Sequence, residues 1–330
     1  MYPSSREFST VMRRGLLCAL STVALLGMPG VSWGQDAWKP AKPIKIVVPF
    51  PAGGGADVAA RLVAHGMETR LGQPIVVENK TGAGGSIGAD FVYAAPADGT
   101  VLLLATPDAQ SVYPHLNKVR FETPKFVPVG GIFKMPYVLM GRPDLPAANV
   151  KELGELMRIK NLSMGNGGNG GLMHILSIMM AKDVKAPGTL HVPFQGAAPS
   201  LQALMGGQID LMMVPLIVAP QYRDKLRTYG VASTQRADTM KDVPTLSEQG
   251  YAVSGDSWGA LVAPPGTPTA ISATLSKALR EVLLSPEMTK KIQDMSLAPF
   301  VDSQAEFGSF YLDEYRKWGE VIKASSIKVE

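Results

Sequence analysis

Two glycine-rich turns are the parts of this sequence best suited to chemistry. The first, residues 49–55, follows the strand-like run 44–48, and the second, residues 81–86, follows the apolar run 75–77. Each turn opens a segment with helical spacing. A helix N-terminus carries unpaired N–H groups and a partial positive charge, and glycine lets a ligand approach the backbone closely. The two turns therefore predict a cradle for an anion that needs no basic side chain.

A third glycine-rich turn, residues 165–171, lies in the second half of the chain and again links a strand to a helix. We therefore expect a ligand between the two halves, the usual position of a binding cleft. The candidate contacts lie in these turns and at the ends of the neighbouring strands: Phe50, Ala52, Gly53, Gly54, Gly84, Gly85, Ser86, Thr106, Asn166, Gly167, Asn169, His174, Phe194, Gly196 and Ala197.

Several polar and aromatic side chains near these turns have two interpretations each. Asp57 and Arg61 lie four residues apart on one helical face, so they either form a structural pair or contact the ligand. His174 either faces a ligand carboxylate or forms an Nδ1 or Nε2 hydrogen bond to a nearby carbonyl. Phe50 and Phe194 either stack on the ligand or pack against the protein.

The N-terminal 34 residues have the order of a secretory signal peptide. Arg13 and Arg14 precede an apolar run, residues 15–28, and small residues stand at positions 32 and 34. A membrane span needs about 20 apolar residues, more than this run provides. The pattern predicts cleavage that leaves Gln35 as the new N-terminus and places the protein in the periplasm.

Composition limits the classes of partner. Three of the 32 basic residues and one of the 28 acidic residues precede Gln35, so the mature chain carries a net charge of about +2. No basic run interleaved with aromatic residues occurs, which argues against nucleic acid as a partner. The only cysteine, Cys18, lies in the signal, and the four histidines lack metal-ligand spacing. We expect no disulfide, metal or cofactor.

Strand-like and helix-like segments alternate along the mature chain, which predicts an α/β fold with mostly parallel sheets flanked by helices. Its length suggests two lobes. The proline-rich residues 142–146 look like a crossing between them. The predicted division is a signal peptide at 1–34, a discontinuous first lobe at 35–142 and 256–330, and a second lobe at 143–255.

Several separate motifs, in order along nearly all of the mature chain, resemble the Bug receptors, the periplasmic solute receptors of tripartite tricarboxylate transporters. They are IVVPFPAGGGAD at 46–57, LGQP at 71–74, VENK at 77–80, GAGG at 82–85, ADGT at 97–100, HVPFQG at 191–196, GGQID at 206–210, DVPT at 242–245 and APPGTP at 263–268. The resemblance implies a type II-like periplasmic-binding fold with its ligand cleft between two lobes. It also implies an aliphatic or aromatic mono- or dicarboxylate as ligand, and integral-membrane transporter subunits as partners.

Other functions remain to be weighed. Residues 84–88 match G-x-S-x-G, which would make Ser86 the nucleophile of an exported α/β hydrolase. A ligand sensor for a two-component system is a third interpretation. A dinucleotide-binding turn starting at Gly53 would need glycine at position 58, where this chain has Val58.

Overall fold

The computed structural model describes residues 38–325. The predicted signal peptide and its cleavage site lie outside the described residues. Apolar, β-branched runs form the central strands because both of their faces are covered. In the first of these runs, Ile46, Val47 and Val48 are completely buried.

Two separate sheets organise the described chain. Their strands, in chain order, are β1 (Ile44–Val48), β2 (Ile75–Asn79), β3 (Val101–Ala105), β4 (Val127–Met135), β5 (Tyr137–Gly141), β6 (Ser163–Asn166), β7 (Leu190–Pro193), β8 (Leu211–Pro215), β9 (Arg227–Val231), β10 (Ser257–Ala263) and β11 (Ala298–Pro299). The first sheet has the order β11-β4-β10-β3-β1-β2, and the second has the order β7-β6-β8-β5-β9.

Each sheet combines parallel and antiparallel pairs. In the first sheet β1 is parallel to β2 and β3, while β10 is antiparallel to β3 and β4. In the second sheet β6 is parallel to β7 and β8, while β5 is antiparallel to β8 and β9. The predicted α/β class is confirmed, but the sheets are mixed rather than mostly parallel, because β5 and β10 each run antiparallel to both of their neighbours. Their parallel parts carry the glycine-rich turns.

Helices cover the sheets, and some of them begin or end at residues that cap them. They are α1 (Gly55–Leu71), α2 (Ser86–Tyr93), α3 (Tyr113–Leu116), α4 (Val150–Ile159), α5 (Leu172–Asp183), α6 (Ala197–Met205), α7 (Thr269–Leu283), α8 (Pro286–Asp294) and α9 (Gln304–Ser325). Gly72 ends α1 in the left-handed conformation with a φ of 66°. Asn149 caps α4 by accepting a hydrogen bond from the Glu152 amide at 3.0 Å.

The C-terminal helix α9 joins the cores of the two sheets. Tyr311 belongs to the core of the first sheet, and Trp318, further along the same helix, belongs to the core of the second. Between them, Glu314 Oε2 accepts hydrogen bonds from the indole N–H groups of Trp258 at 3.2 Å and Trp318 at 2.8 Å. This buried carboxylate therefore ties β10 to α9.

The chain crosses between the sheets one strand earlier than the predicted lobe boundary. β4 belongs to the first sheet and β5 to the second, so Pro136 marks the crossing rather than the proline-rich residues 142–146. The difference arises because β5 continues almost directly from β4. Within residues 38–325, no helix is both long enough and apolar enough to span a bilayer.

Candidate functional site

The first glycine-rich turn is held by an aspartate in the first turn of α1. Asp57, which is 3% exposed, accepts hydrogen bonds from the Gly53 amide at 2.9 Å and from Asn79 at 3.0 Å. Arg61 adds two more bonds, at 2.9 and 3.0 Å. Asn79 also donates to the Phe50 carbonyl at 3.0 Å. Asp57 and Arg61 therefore form the structural pair, and the Gly53 amide is already used.

The electrostatics of this turn follow from the same contacts. Hydrogen bonds from Arg61 first, and then from Gly53 and Asn79, lower the pKa of the Asp57 carboxyl to about 2 despite its burial. Ala52, Gly53 and Gly54 themselves are exposed. The buried Asp57 carboxylate holds the turn on the protein side, and the exposed side of the turn is open to a ligand.

The second glycine-rich turn packs closely against neighbouring side chains. A Cβ on Gly85, whose φ is +95°, would lie 2.8 Å from Ala109 Cβ and 3.5 Å from the ring of Phe50. A Cβ on Gly84 would lie 2.3 Å from the Tyr113 ring. These glycines are required by packing and by backbone conformation. The structure brings Phe50 and Gly85 together.

Ser86 begins α2 and is 7% exposed. The histidines have other contacts. His65 lies 3.6 Å from Glu68, and His115 Nε2 is 2.8 Å from the Tyr315 carbonyl. Within the described chain none of the hydrogen bonds joins Ser86 to a histidine. The base that a serine nucleophile requires is therefore not positioned here.

In the second sheet, three predicted residues meet at the ends of β6 and β7. A Cβ on Gly167 would lie 3.2 Å from both the Ala197 nitrogen and the Gly196 carbonyl carbon. Asn166 is completely buried, and its Oδ1 accepts from the Gly168 amide at 2.9 Å. Its Nδ2 is buried without a hydrogen-bond partner among the described residues. An unpaired buried donor is costly and suits a ligand acceptor.

The remaining predicted residues of the second sheet have different surroundings. Asn169 is exposed. Phe194 is partly buried against the core of the second sheet, and its ring would lie 3.5 Å from a Cβ on Gly165. Of the two interpretations of Phe194, this geometry favours packing against the protein.

His174 is held as a neutral side chain near the start of α5. It is 7% exposed, its Nδ1 accepts from the Gly170 amide at 3.1 Å, and its ring meets that of His191 edge-on at 5.2 Å. Burial first, and His191 second, lower the pKa of His174 to about 4. The imidazole therefore orders the loop and supplies no positive charge at neutral pH. Among residues 38–325, no three His, Cys, Asp or Glu side chains converge as a metal site.

The loop after β3 reaches from the first sheet to the second. Thr106 is buried, and its carbonyl accepts a hydrogen bond from the Gln110 amide at 3.0 Å, next to the π-helical turn Asp108–Val112. Asp108 Oδ1 accepts from the Leu172 amide at 2.8 Å, at the start of α5. Burial raises the pKa of Asp108, and the hydrogen bond from the Leu172 amide opposes that rise. Sequence reasoning missed Asp108, although its position directly after a buried parallel strand was a usable signal.

A cavity of about 380 Å³ lies where the chain crosses between the sheets. Its lining includes Lys134 of β4, Asp256 just before β10, and residues 233–239 after β9, and it includes none of the predicted site residues. Asp256 Oδ1 is buried without a hydrogen-bond partner in the described chain, and burial raises the pKa of its carboxyl. The cavity is therefore a competing location for a ligand.

Comparisons with known proteins agree with this architecture. A UPF0065 protein from Bordetella pertussis is 33% identical over 315 residues, which cover 93% of this chain and 96% of that protein. The structure of the periplasmic binding protein BugD has 31% identity and a TM-score of 0.74, covering 88% of this chain and 100% of that one. R. palustris Rpa4515 with adipate has 27% identity and a TM-score of 0.76, covering 88% and 99%.

The resemblance to Bug receptors is confirmed by these relatives and by a family profile. That profile, the tripartite tricarboxylate transporter family receptor, matches residues 59–327. The proteins it groups are binding receptors rather than enzymes, in agreement with the surroundings of Ser86. This chain belongs to the family of tripartite tricarboxylate transporter receptors.

Proposed function

We propose that this receptor captures a small carboxylate in the periplasm between its two sheets and delivers it to the membrane subunits of a tripartite tricarboxylate-type transporter. One observation carries the proposal: Asp108 of the first sheet bonds to the start of α5 beside the second sheet. The loops that follow the parallel strands of both sheets therefore face each other. Ligands of α/β proteins bind at such carboxyl ends of strands.

The chemistry of the facing loops suits a carboxylate. The exposed turn at Gly54 opens α1, so its backbone amides face an incoming ligand with the partial positive charge of a helix N-terminus. From the other sheet, Asn166 offers a buried amide donor that has no partner in the described chain. A carboxylate accepts from such donors without a basic side chain.

The relatives support the same class of ligand. Rpa4515 was solved with adipate, and the family description names tricarboxylate transporters. Export follows from the predicted signal peptide, with mature protein starting at Gln35. The candidate contacts predicted from the sequence remain the proposed contact set, apart from the packed Phe194 and the backbone amides of Gly53, Gly85 and Ser86, which already have acceptors.

A thermal-shift screen tests the proposal. We expect carboxylates, and not their methyl esters, to raise the melting temperature of the mature chain. Binding to the native state stabilises by about 2.7 kcal/mol at a ligand concentration of 100 Kd, roughly 5 °C for a protein of this size. If aliphatic and aromatic carboxylates at millimolar concentration all leave the melting temperature unchanged, the proposed function is wrong.

A matched pair of valine variants locates the site. A Cβ on Gly54 would lie 3.5 Å from the Pro51 carbonyl oxygen, and one on Gly308 would lie 3.5 Å from Pro128. Both contacts are ordinary, so both variants should fold. Gly54→Val should weaken binding of the selected carboxylate at least tenfold, while Gly308→Val should bind normally. Equal affinity in the two variants would remove the first glycine-rich turn from the site.

A further inference from the structure

The cavity of about 380 Å³ lies towards the opposite edges of the two sheets from the glycine-rich turns. Its lining includes residues of β4 and β11, at one edge of the first sheet, and the segment that follows β9, at one edge of the second. The glycine-rich turns follow β1, β2 and β6, which lie towards the other edges. A ligand in the cavity and a ligand at the turns would therefore occupy separate sites.

Two opposite charges line this cavity without forming an ion pair. Lys134 lies directly opposite Trp258 in the pairing of β4 with β10, and Asp256 precedes Trp258 by two residues. Because side chains alternate along a strand, Lys134 and Asp256 leave the first sheet on the same face. The ion pairs formed among residues 38–325 include neither of them.

Aromatic rings hold Lys134, rather than a carboxylate. Its Nζ lies 4.0 Å from the centroid of the Phe300 ring and 4.6 Å from that of the Phe310 ring. Cation–π contact attracts the ammonium group to the rings without using its N–H groups as donors to an oxygen. A ligand carboxylate in the cavity could therefore accept from Lys134.

Asp256 lacks a donor for one of its oxygens. Its Oδ1 is buried without a hydrogen-bond partner in the described chain. Burial, and to a smaller extent the charge of Glu314, raise the pKa of the Asp256 carboxyl. The Ser233 side chain and the charges of Lys134 and Lys317 oppose that rise by favouring the ionised form. A ligand ammonium group would favour that form further and would supply a donor.

The other charged groups on the cavity wall already have partners. Arg236 forms an ion pair with Glu248 at 2.9 Å, and Asp238 forms one with Lys241 at 3.2 Å. The cavity therefore presents one unpaired ammonium group and one unpaired carboxylate. An anion would be repelled by the carboxylate and a cation by the ammonium group, whereas a ligand with both charges can face each group with the opposite sign.

We propose that this cavity is a second ligand site, which binds a small zwitterion with its carboxylate on Lys134 and its ammonium group on Asp256. Small-molecule sites span roughly 300–1,000 Å³, so a cavity near the lower end of that range suits a compact ligand. The second site does not depend on the proposed capture of a carboxylate at the glycine-rich turns.

Calorimetric titration of the mature wild-type protein tests for the zwitterion. The probes are free glycine, 3-aminopropanoate and 4-aminobutanoate, and a saturating concentration of the carboxylate selected by the thermal-shift screen keeps the glycine-rich turns occupied. Each probe is compared with the carboxylate that lacks its ammonium group and with the amine that lacks its carboxylate. We expect at least one zwitterion to bind about tenfold more tightly than both of its single-charge analogues.

Two substitutions then locate the zwitterion. Lys134→Met keeps an unbranched side chain beside Phe300 and removes the charge, and Asp256→Asn removes the other charge with little change of shape. Each should weaken zwitterion binding about tenfold. Lys125→Met and Asp313→Asn, which break exposed ion pairs elsewhere, are the matched controls and should bind like the wild type. Circular dichroism and the melting temperature check that all four variants fold.

The outcomes are distinct. If no zwitterion binds more tightly than its single-charge analogues, the second site is wrong and the proposed function is unaffected. The same conclusion follows if either Lys134→Met or Asp256→Asn folds and keeps the wild-type affinity, or if Gly54→Val abolishes zwitterion binding. A zwitterion that passes these tests, when no simple carboxylate raises the melting temperature, supports the second site and refutes the proposed function.

Discussion

Replacing Asp57 with asparagine tests how the first glycine-rich turn is fixed. The pKa of Asp57 falls from 3.8 to about 2 on folding. A difference of about 1.8 units corresponds to about 2 kcal/mol of stability. Asp57 is only 3% exposed, but the side chain of its partner Arg61 is half exposed, so solvent screens part of the interaction. We therefore expect Asp57→Asn to lose about 2 kcal/mol at pH 7, with Arg61 left without its anion.

The pH dependence of this loss has a definite sign. The folded-state pKa lies below the unfolded one, so the stabilisation is present above about pH 5 and declines as the pH falls through 3.8 towards 2. About half of it should remain at pH 3. The difference in free energy of unfolding between the wild type and Asp57→Asn should therefore become smaller as the pH falls.

Urea unfolding at pH 7, 4 and 3, monitored by circular dichroism, measures this difference in free energy of unfolding. Asp313→Asn is the matched control, because Asp313 and Arg316 form an ion pair at 3.0 Å with both side chains about 70% exposed. Such exposed pairs contribute little, so this control should unfold like the wild type. A gap near zero at pH 7, or one of equal size at pH 3, would refute the assignment of Asp57 as the residue that fixes the turn.

Further predictions concern the second turn, the hydrolase alternative and export. Gly85→Ala should destabilise the protein by about 3 kcal/mol in urea unfolding, because it adds a clash with Ala109 to a φ of +95°. Gly250→Ala, with a φ of +89° and nothing within 4 Å of the added Cβ, should cost about 1 kcal/mol, and equal losses would contradict the packing argument. Purified protein should not hydrolyse activated esters, whereas turnover that Ser86→Ala abolishes would revive the hydrolase. N-terminal sequencing of periplasmic protein should start at or near Gln35, and an intact Met1 in the cytosol would contradict export.

Local sequence patterns predicted many of the strands and helices, because these elements depend on residues that are close together in the chain. The strand-like run 44–48 forms β1, the apolar run 75–77 lies in β2, and a helix follows each of the first two glycine-rich turns. By contrast, β4 and β9 were not predicted. Residues 127–135 contain Pro128, Gly130 and Gly131, and their strand pairs with β10, more than 100 residues away. Such long-range pairing leaves no periodic signal in a single sequence.

The site was predicted as a set of loops but without its tertiary contacts. Phe50 with Gly85, and Gly167 with Gly196 and Ala197, come together because parallel strands end at one edge of their sheet. The spacing of the glycines could not predict that the Gly53 amide donates to Asp57, because this bond depends on the orientation of the Asp57 side chain. Asp108 was missed because its partner, Leu172, is 64 residues away on the other sheet.

A crystal structure of the mature protein with a carboxylate selected by the thermal-shift screen tests the central claim most directly. We predict carboxylate oxygens within about 3.2 Å of backbone amides at residues 54–56 or 84, or of Asn166 Nδ2, with the ligand between the two sheets. A ligand bound instead in the cavity lined by Lys134 and Asp256, with its carboxylate on a basic side chain, would contradict the claim.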